Sequence, residues 1–96
     1  MMTRTQLLLI KLAEEASEVS QIALKTAQFG PHEVKPGQDD TNFQRIRIEL
    51  DDLLAIVEML NDECLFGYQP DRDAAKKTRV DKYAAYSYEL GLVEAA

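Results

Sequence analysis

Apolar residues recur every three or four positions along two long stretches of this chain, and this spacing constrains the fold more than any other feature. In the first stretch, one face of a helix is marked by Leu8, Leu12, Val19 and Ile22. A second apolar row is expected to widen this face, at Leu9, Ala16, Ala23 and Ala27. The same spacing marks the second stretch, at Phe43, Ile46, Leu50, Leu53, Val57, Leu60 and Cys64. No segment shows the period-two alternation of a β-strand. The sequence therefore predicts an all-α fold.

Proline, glycine and capping residues divide the chain into three helical segments. Thr3 and Thr41 each begin a capping-box pattern, with Gln three residues later. Gly67 is placed to end the second segment. The third segment has a polar first half, so it is expected to pack more weakly than the other two. The predicted elements are helices over about 3–28, 41–66 and 71–90, with a loop over about 30–40.

Length and composition indicate one small globular domain over residues 1–96. Hydrophobic residues make up 46% and charged residues 29% of the chain, a globular balance. A domain of this size buries only about two thirds of the surface of its unfolded chain, so an uncovered apolar face would favour a second subunit. The net charge of −6 argues against generic nucleic-acid binding, which needs an excess of Lys and Arg.

Cysteine content and hydropathy bear on the compartment. Cys64 is the single cysteine, which excludes an internal disulfide and suits a reducing, cytoplasmic setting; on a helix it is expected to be a small buried hydrophobe. The apolar run Leu7–Ile10 is too short for a signal peptide, and no stretch approaches the roughly 20 apolar residues of a membrane span.

Three carboxylates occupy positions where the helical pattern calls for apolar residues, and a fourth, Glu18, lies one turn from the first of them. Glu15 interrupts the stripe of the first helix, and Glu49 and Asp52 interrupt two rows of the second. Glu15 and Glu18 are three residues apart, as are Glu49 and Asp52. This spacing is about 60° of rotation and about 4.5 Å of rise, so each pair projects to roughly one side. If the two helices pack antiparallel, all four carboxylates converge.

Converging carboxylates repel one another, and a stable fold must offset this repulsion. Two unit charges about 4 Å apart repel by about 4 kcal/mol at an effective dielectric near 20, and a small domain holds only about 5–15 kcal/mol in total. A divalent cation reverses the sign of this interaction. Oxygen ligands without a nearby His or Cys favour Mg²⁺, or Mn²⁺ in its place, over zinc. The alternative is that these are ordinary surface acids on amphipathic helices.

With these motifs in place, the chain resembles the MazG-like all-α nucleoside triphosphate pyrophosphatases. That family carries a Glu-Glu-x-x-Glu motif on one helix and a Glu-x-x-Asp motif on the next. Here they read Glu14-Glu15-Ala16-Ser17-Glu18 and Glu49-Leu50-Asp51-Asp52. The tail from Lys82-Tyr83 to Leu90-Gly91 is also similar, so the resemblance covers nearly the whole chain.

The resemblance implies that Glu15, Glu18, Glu49 and Asp52 bind Mg²⁺, with Glu14 behind them or on a further ion. It also implies hydrolysis of a nucleoside triphosphate to the monophosphate and pyrophosphate. The family's helices form a four-helix core from two subunits, which predicts a homodimer or a tetramer built from two dimers. Glu15 or Glu18 is the expected general base.

The third segment supplies candidate substrate contacts, since an acidic site needs cations to hold an anionic substrate. These are Lys76, Arg79 and Lys82, with Tyr83 and Tyr86 available to stack on a base or bond a phosphate. The alternative is a solvated basic face with packing tyrosines. His32, alone in the loop, is expected to be exposed and not to bind metal.

Two other functions compete with this interpretation. An acidic helical dimer that works by contact, or as a mimic of nucleic acid, fits the charge but would display its acids on the surface. A di-iron carboxylate bundle would use Glu-x-x-His pairs, and the single histidine lies in a predicted loop.

Overall fold

Three α-helices and no strand make up residues 1–94, the part of the chain that the computed structural model describes. The helices are α1 (Arg4–Phe29), α2 (Asn42–Glu63) and α3 (Ala74–Glu89). The all-α prediction is confirmed, and the helix boundaries lie within a few residues of those predicted.

Both predicted capping boxes are present. Thr3 and Thr41 accept the backbone N–H groups of Gln6 and Gln44 at 3.1 and 3.2 Å, and each Gln side chain accepts the threonine N–H at 2.8 Å. These reciprocal bonds satisfy N–H groups that the helix itself leaves without partners. Each long helix therefore begins at a residue fixed by its own sequence.

Helices α1 and α2 pack against each other as an antiparallel hairpin. At its open end Arg4 pairs with Glu63 at 3.0 Å, and at its loop end Asn42 bonds the carbonyl of Gly30 at 2.9 Å. Between these ends runs a narrow seam in which Leu8, Ile22 and Leu60 are buried. The seam holds the predicted stripe of α1 and most of the predicted stripe of α2. Phe43 and Leu50 of the second stripe are exposed, because a helix with one neighbour buries only a narrow face.

The end of α2 differs from the prediction, because the helix stops at Glu63 and not near Gly67. The Asn61 side chain bonds both the N–H and the C=O of Tyr68, each at 3.0 Å. These two bonds pull the chain back onto the last turn of α2. Gly67, with φ of +66°, allows this reversal. Cys64 consequently lies at the helix end, half-buried and not fully buried.

Helix α3 packs against neither α1 nor α2, and none of its residues is buried. The radius of gyration is 17.1 Å, whereas a compact domain of this length has about 12.5 Å. The expectation that the third segment packs more weakly agrees with this arrangement.

The second apolar row predicted to widen the seam of α1 faces solvent in this structure. It consists of Leu9, Ala16, Ala23 and Ala27. The physical reason is that a helix with one neighbour buries one narrow stripe, and α3 does not cover the rest. Within residues 1–94, none of the helices combines the length and apolar character that a bilayer span requires.

Candidate metal centre

Three carboxylates meet at the middle of the seam between α1 and α2. Glu15, Glu18 and Glu49, called here the acidic trio, each offer an oxygen, and these oxygens lie within 4.8 Å of one another. Glu15 and Glu18 share one side of α1 because they are one turn apart. Glu49 comes from the facing position of α2, since the two helices run antiparallel.

The surroundings of two members of the trio, Glu15 and Glu49, disfavour negative charge. Partial burial is the main cause that raises the pKa of Glu15 above its ordinary value of 4.5, and the charges of Glu18 and Asp52 raise it further. Burial likewise raises the pKa of Glu49, followed by the nearby Glu18 carboxyl, with which it can share a proton. Among the described residues, neither Glu15 Oε2 nor Glu49 Oε2 has a hydrogen-bond partner, and both atoms are shielded from solvent.

These features fit a hard divalent cation. The donor set is oxygen alone, as Mg²⁺ and Mn²⁺ prefer, and no nitrogen or sulfur ligand belongs to it. Two shielded carboxylate oxygens without an N–H or O–H donor are the atoms that a cation would satisfy. The residues present therefore suit the metal that the sequence predicts.

Asp52 and Glu14 lie outside the trio. Asp52 is exposed on α2 and close enough to act electrostatically on both Glu15 and Glu49, but it contributes no oxygen to the cluster. Glu14 pairs with Lys11 at 3.1 Å on the surface of α1. The structure thus brings together three of the four predicted metal ligands, and the role of Asp52 as the fourth stays a prediction.

The candidate substrate residues share one face of α3, away from the trio. Arg79, Lys82, Tyr83 and Tyr86 line a surface depression of about 380 Å³. Lys76 lies one turn before Arg79 on the same helix and is exposed. Because α3 does not contact the hairpin, these side chains do not reach the trio of their own chain.

Two cations beside the trio were not singled out by the sequence pattern. Lys25 and Arg45 line a groove that also contains Glu18 and Glu49. Arg45 stands one turn before Glu49 on α2, and Lys25 stands two turns after Glu18 on α1. That helical spacing is the signal by which the sequence could have indicated them.

The loop histidine lies where expected. His32 is exposed, with its ring edge against Phe43 at a centroid distance of 6.2 Å, and it is remote from the trio in sequence and structure. The Asn61 side chain is engaged by the backbone of Tyr68 at the end of α2.

Comparison with known proteins adds no family assignment, because no family model, curated protein or solved structure matches this chain. The resemblance to the MazG-like pyrophosphatases therefore stays a prediction from the motifs. The function must be argued from the trio and its surroundings.

Proposed function

We propose that this chain is a Mg²⁺-dependent nucleoside triphosphate pyrophosphohydrolase of the MazG-like kind, with Mn²⁺ as a possible substitute metal. The observation that carries the proposal is the acidic trio, in which shielded oxygens of Glu15 and Glu49 have no hydrogen-bond partner among the described residues. A site that disfavours its own negative charge is suited to hold a cation. The order of the Glu-Glu-x-x-Glu and Glu-x-x-Asp motifs supports the reaction class.

In this proposal the metal has four carboxylate ligands. Three are the trio, and the fourth is Asp52 at the edge of the seam. When bound, Mg²⁺ supplies neutralisation of the charge that develops on the phosphates. Glu15 or Glu18 also accepts the proton of the attacking water, because both carboxylates belong to the trio beside which that water would lie. The oxygen of that water bonds to phosphorus, and the P–O bond of the bridge between the α- and β-phosphates breaks. Pyrophosphate and the nucleoside monophosphate are the two products.

A second copy of the chain is part of the proposal. Helix α3 packs against no other element of residues 1–94, and apolar side chains such as Leu24 and Leu54 are exposed on α1 and α2. A homodimer, or a tetramer of two dimers, would cover these faces in a four-helix core. It would also allow Lys76, Arg79, Lys82, Tyr83 and Tyr86 of one subunit to reach the trio of the other. The single cysteine supports a reducing, cytoplasmic setting.

A pyrophosphate-release screen tests the proposal across nucleoside triphosphates with Mg²⁺ and with Mn²⁺. Glu49→Gln should lower turnover by more than about a hundredfold, since groups that only support metal ligands already cost about 10–100-fold. Asp51→Asn is the matched control, because Asp51 is exposed, lies on the same helix and is not in the trio. Full turnover by Glu49→Gln would refute the site.

Metal binding has a separate readout in thermal or denaturant unfolding. Mg²⁺ at a hundred times its dissociation constant should stabilise the wild type by about 2.7 kcal/mol, because it binds only the native state. Glu49→Gln should lose this gain and, without metal, should be at least as stable as the wild type, since one repelling charge is gone.

The second candidate is a non-catalytic acidic dimer that acts by contact. The exposed apolar side chains of α1 and α2 favour it, because they offer an interface without any chemistry. Stability unchanged by millimolar Mg²⁺ or Mn²⁺, together with no pyrophosphate release, would decide for this candidate.

A further inference from the structure

A cavity of about 300 Å³ lies at the loop end of the α1–α2 hairpin. We call it the loop cavity. It is lined by Lys25, Phe29, Glu33, Lys35, Pro36, Asn42 and Arg45. This volume is at the lower end of the range of small-molecule sites, enough for a base and a sugar but not for a large ligand.

Asn42 is the buried polar residue of the loop cavity, only 1% exposed. Its Nδ2 donates to the Gly30 carbonyl at 2.9 Å and to Glu33 Oε2 at 3.2 Å, so the orientation of the amide is fixed. Its Oδ1 is shielded and has no partner within residues 1–94. Asn42 lines the cavity, and a ligand N–H placed there would satisfy this acceptor once the lining moves enough to uncover it.

The charged side chains around the loop cavity favour an anionic ligand. Lys25, Lys35 and Arg45 form no ion pair with any described residue. The one carboxylate in the lining, Glu33, is already bonded to Asn42. The first N–H groups of α2 are also engaged, since those of Asn42 and Phe43 donate to loop carbonyls, so the positive character comes from side chains.

The loop cavity and the groove beside the acidic trio share two lining residues. Lys25 and Arg45 line both, and Glu18 and Glu49 line the groove alone. Along the hairpin, the order is therefore trio, then the two cations, then Asn42 and the cavity. Phosphates that reach from a metal at the trio would pass the cations before the rest of the molecule enters the cavity.

We propose that the loop cavity binds the nucleoside part of the substrate, with Asn42 Oδ1 accepting an N–H of the base. Phe29, whose side chain is 59% exposed at the end of α1, is the ring on which the base stacks. Lys25 and Arg45 contact the phosphates between base and metal. This proposal rests on the proposed function and adds to it the place of the base.

The test measures binding of nucleoside 5′-monophosphates by titration calorimetry with EDTA present, so that neither metal nor turnover is needed. Phe29→Ala should weaken binding by about fivefold or more, since base–aromatic stacking contributes roughly that much or more. Phe66→Ala is the matched control, because Phe66 is similarly exposed but lies after α2, at the opposite end of the hairpin. Lys25→Ala should weaken binding too, whereas Lys77→Ala on α3 should not.

The role of Asn42 is tested on the ligand, because removing this buried side chain would disturb the loop. Monophosphates of cytidine and adenosine are compared with the same nucleotides dimethylated on the amino group, and uridine with its N3-methyl form. Loss of the donor from the nucleotide that binds should weaken binding by about tenfold or more, since Asn42 Oδ1 would stay unsatisfied.

The outcomes separate this proposal from the proposed function. Monophosphate binding that Phe29→Ala, Lys25→Ala and methylation all leave unchanged would overturn the loop cavity as the base site, even if pyrophosphate release is observed. Absence of monophosphate binding in EDTA, with Mg²⁺ still stabilising the protein, would overturn it as well and leave the metal site intact. Binding that depends on Phe29 in a protein without hydrolytic activity would support the cavity and refute the enzyme.

Discussion

The α1–α2 hairpin and helix α3 are built from similar local signals, yet they differ in what they bury. All three helices begin at a side-chain cap, at Thr3, Thr41 and Asp73. The hairpin buries Leu8, Ile22 and Leu60 in one seam, whereas α3 buries nothing within residues 1–94. Caps therefore set where helices begin, and the apolar stripe decides whether they pack.

The hairpin and α3 also differ in the charged residues that they carry. Two of the acids that the motifs predict, Glu15 and Glu49, lie half-buried in the hairpin seam, where burial raises their pKa. The cations predicted to accompany them lie on α3, out of reach in a single chain. Either a second copy brings α3 to the trio, or Lys25 and Arg45 of the hairpin serve instead.

The largest expected effect comes from the seam. Leu60 is fully buried, so Leu60→Ala should lower the free energy of unfolding by about 2–5 kcal/mol through lost burial and the cavity left behind. Leu90→Ala at the end of α3 should change it by no more than about 0.5 kcal/mol at protein concentrations where the chain is monomeric, because Leu90 is exposed in the single chain. Urea unfolding at matched protein concentration measures both. Equal losses would mean that α3 is covered in solution.

Helices and caps were predictable because their causes are local. Thr41 and Gln44 are three residues apart in the sequence, and their bonds follow from that spacing. The end of α2 was not predictable from local sequence, because it depends on hydrogen bonds between the Asn61 side chain and the backbone of Tyr68. Such a contact between a helix and the chain that follows it leaves no periodic trace.

The candidate site was predictable in part for the same reason. Glu15 and Glu49 were found because each interrupts an apolar stripe. Asp52 lies at the edge of that stripe, and which side faces α1 depends on how the two helices are rotated. Asn42 was missed altogether, since inside a capping box it is an ordinary first-turn residue, and only the folded loop buries it.

A smaller effect is expected from the caps, and it sharpens the comparison. Thr41→Ala should lower the free energy of global unfolding by about 1 kcal/mol, because α2 carries half of the seam. Asp73→Ala removes the acceptor of the Lys76 N–H and, in the monomeric chain, should reduce the helicity of α3 without moving the main unfolding transition. Circular dichroism and amide hydrogen exchange distinguish the two. A shift of the main transition by Asp73→Ala would show that α3 packs on something.

The smallest expected effect is a pH dependence of the metal-free protein, since water still screens the partly exposed trio. The raised pKa values of Glu15 and Glu49 mean that the folded state binds protons more tightly than the unfolded state. Their contribution to stability is therefore complete below the ordinary value of 4.5 and is lost as pH rises through the raised values. In EDTA, these two groups should make stability increase as pH is lowered toward 4.5.

The difference between variants isolates this contribution from that of the other carboxylates. Glu49→Gln should show a shallower dependence on pH than the wild type, while Glu58→Gln, an exposed acid on the same helix, should follow the wild type. With saturating Mg²⁺ the sign should reverse, because protons and metal compete for the same oxygens and acid then releases the cation. If the wild type and the Glu49→Gln variant had parallel pH profiles, with and without Mg²⁺, the prediction would be wrong. Glu49 in the hairpin seam would then contribute no more to the pH dependence of stability than an exposed carboxylate on α3.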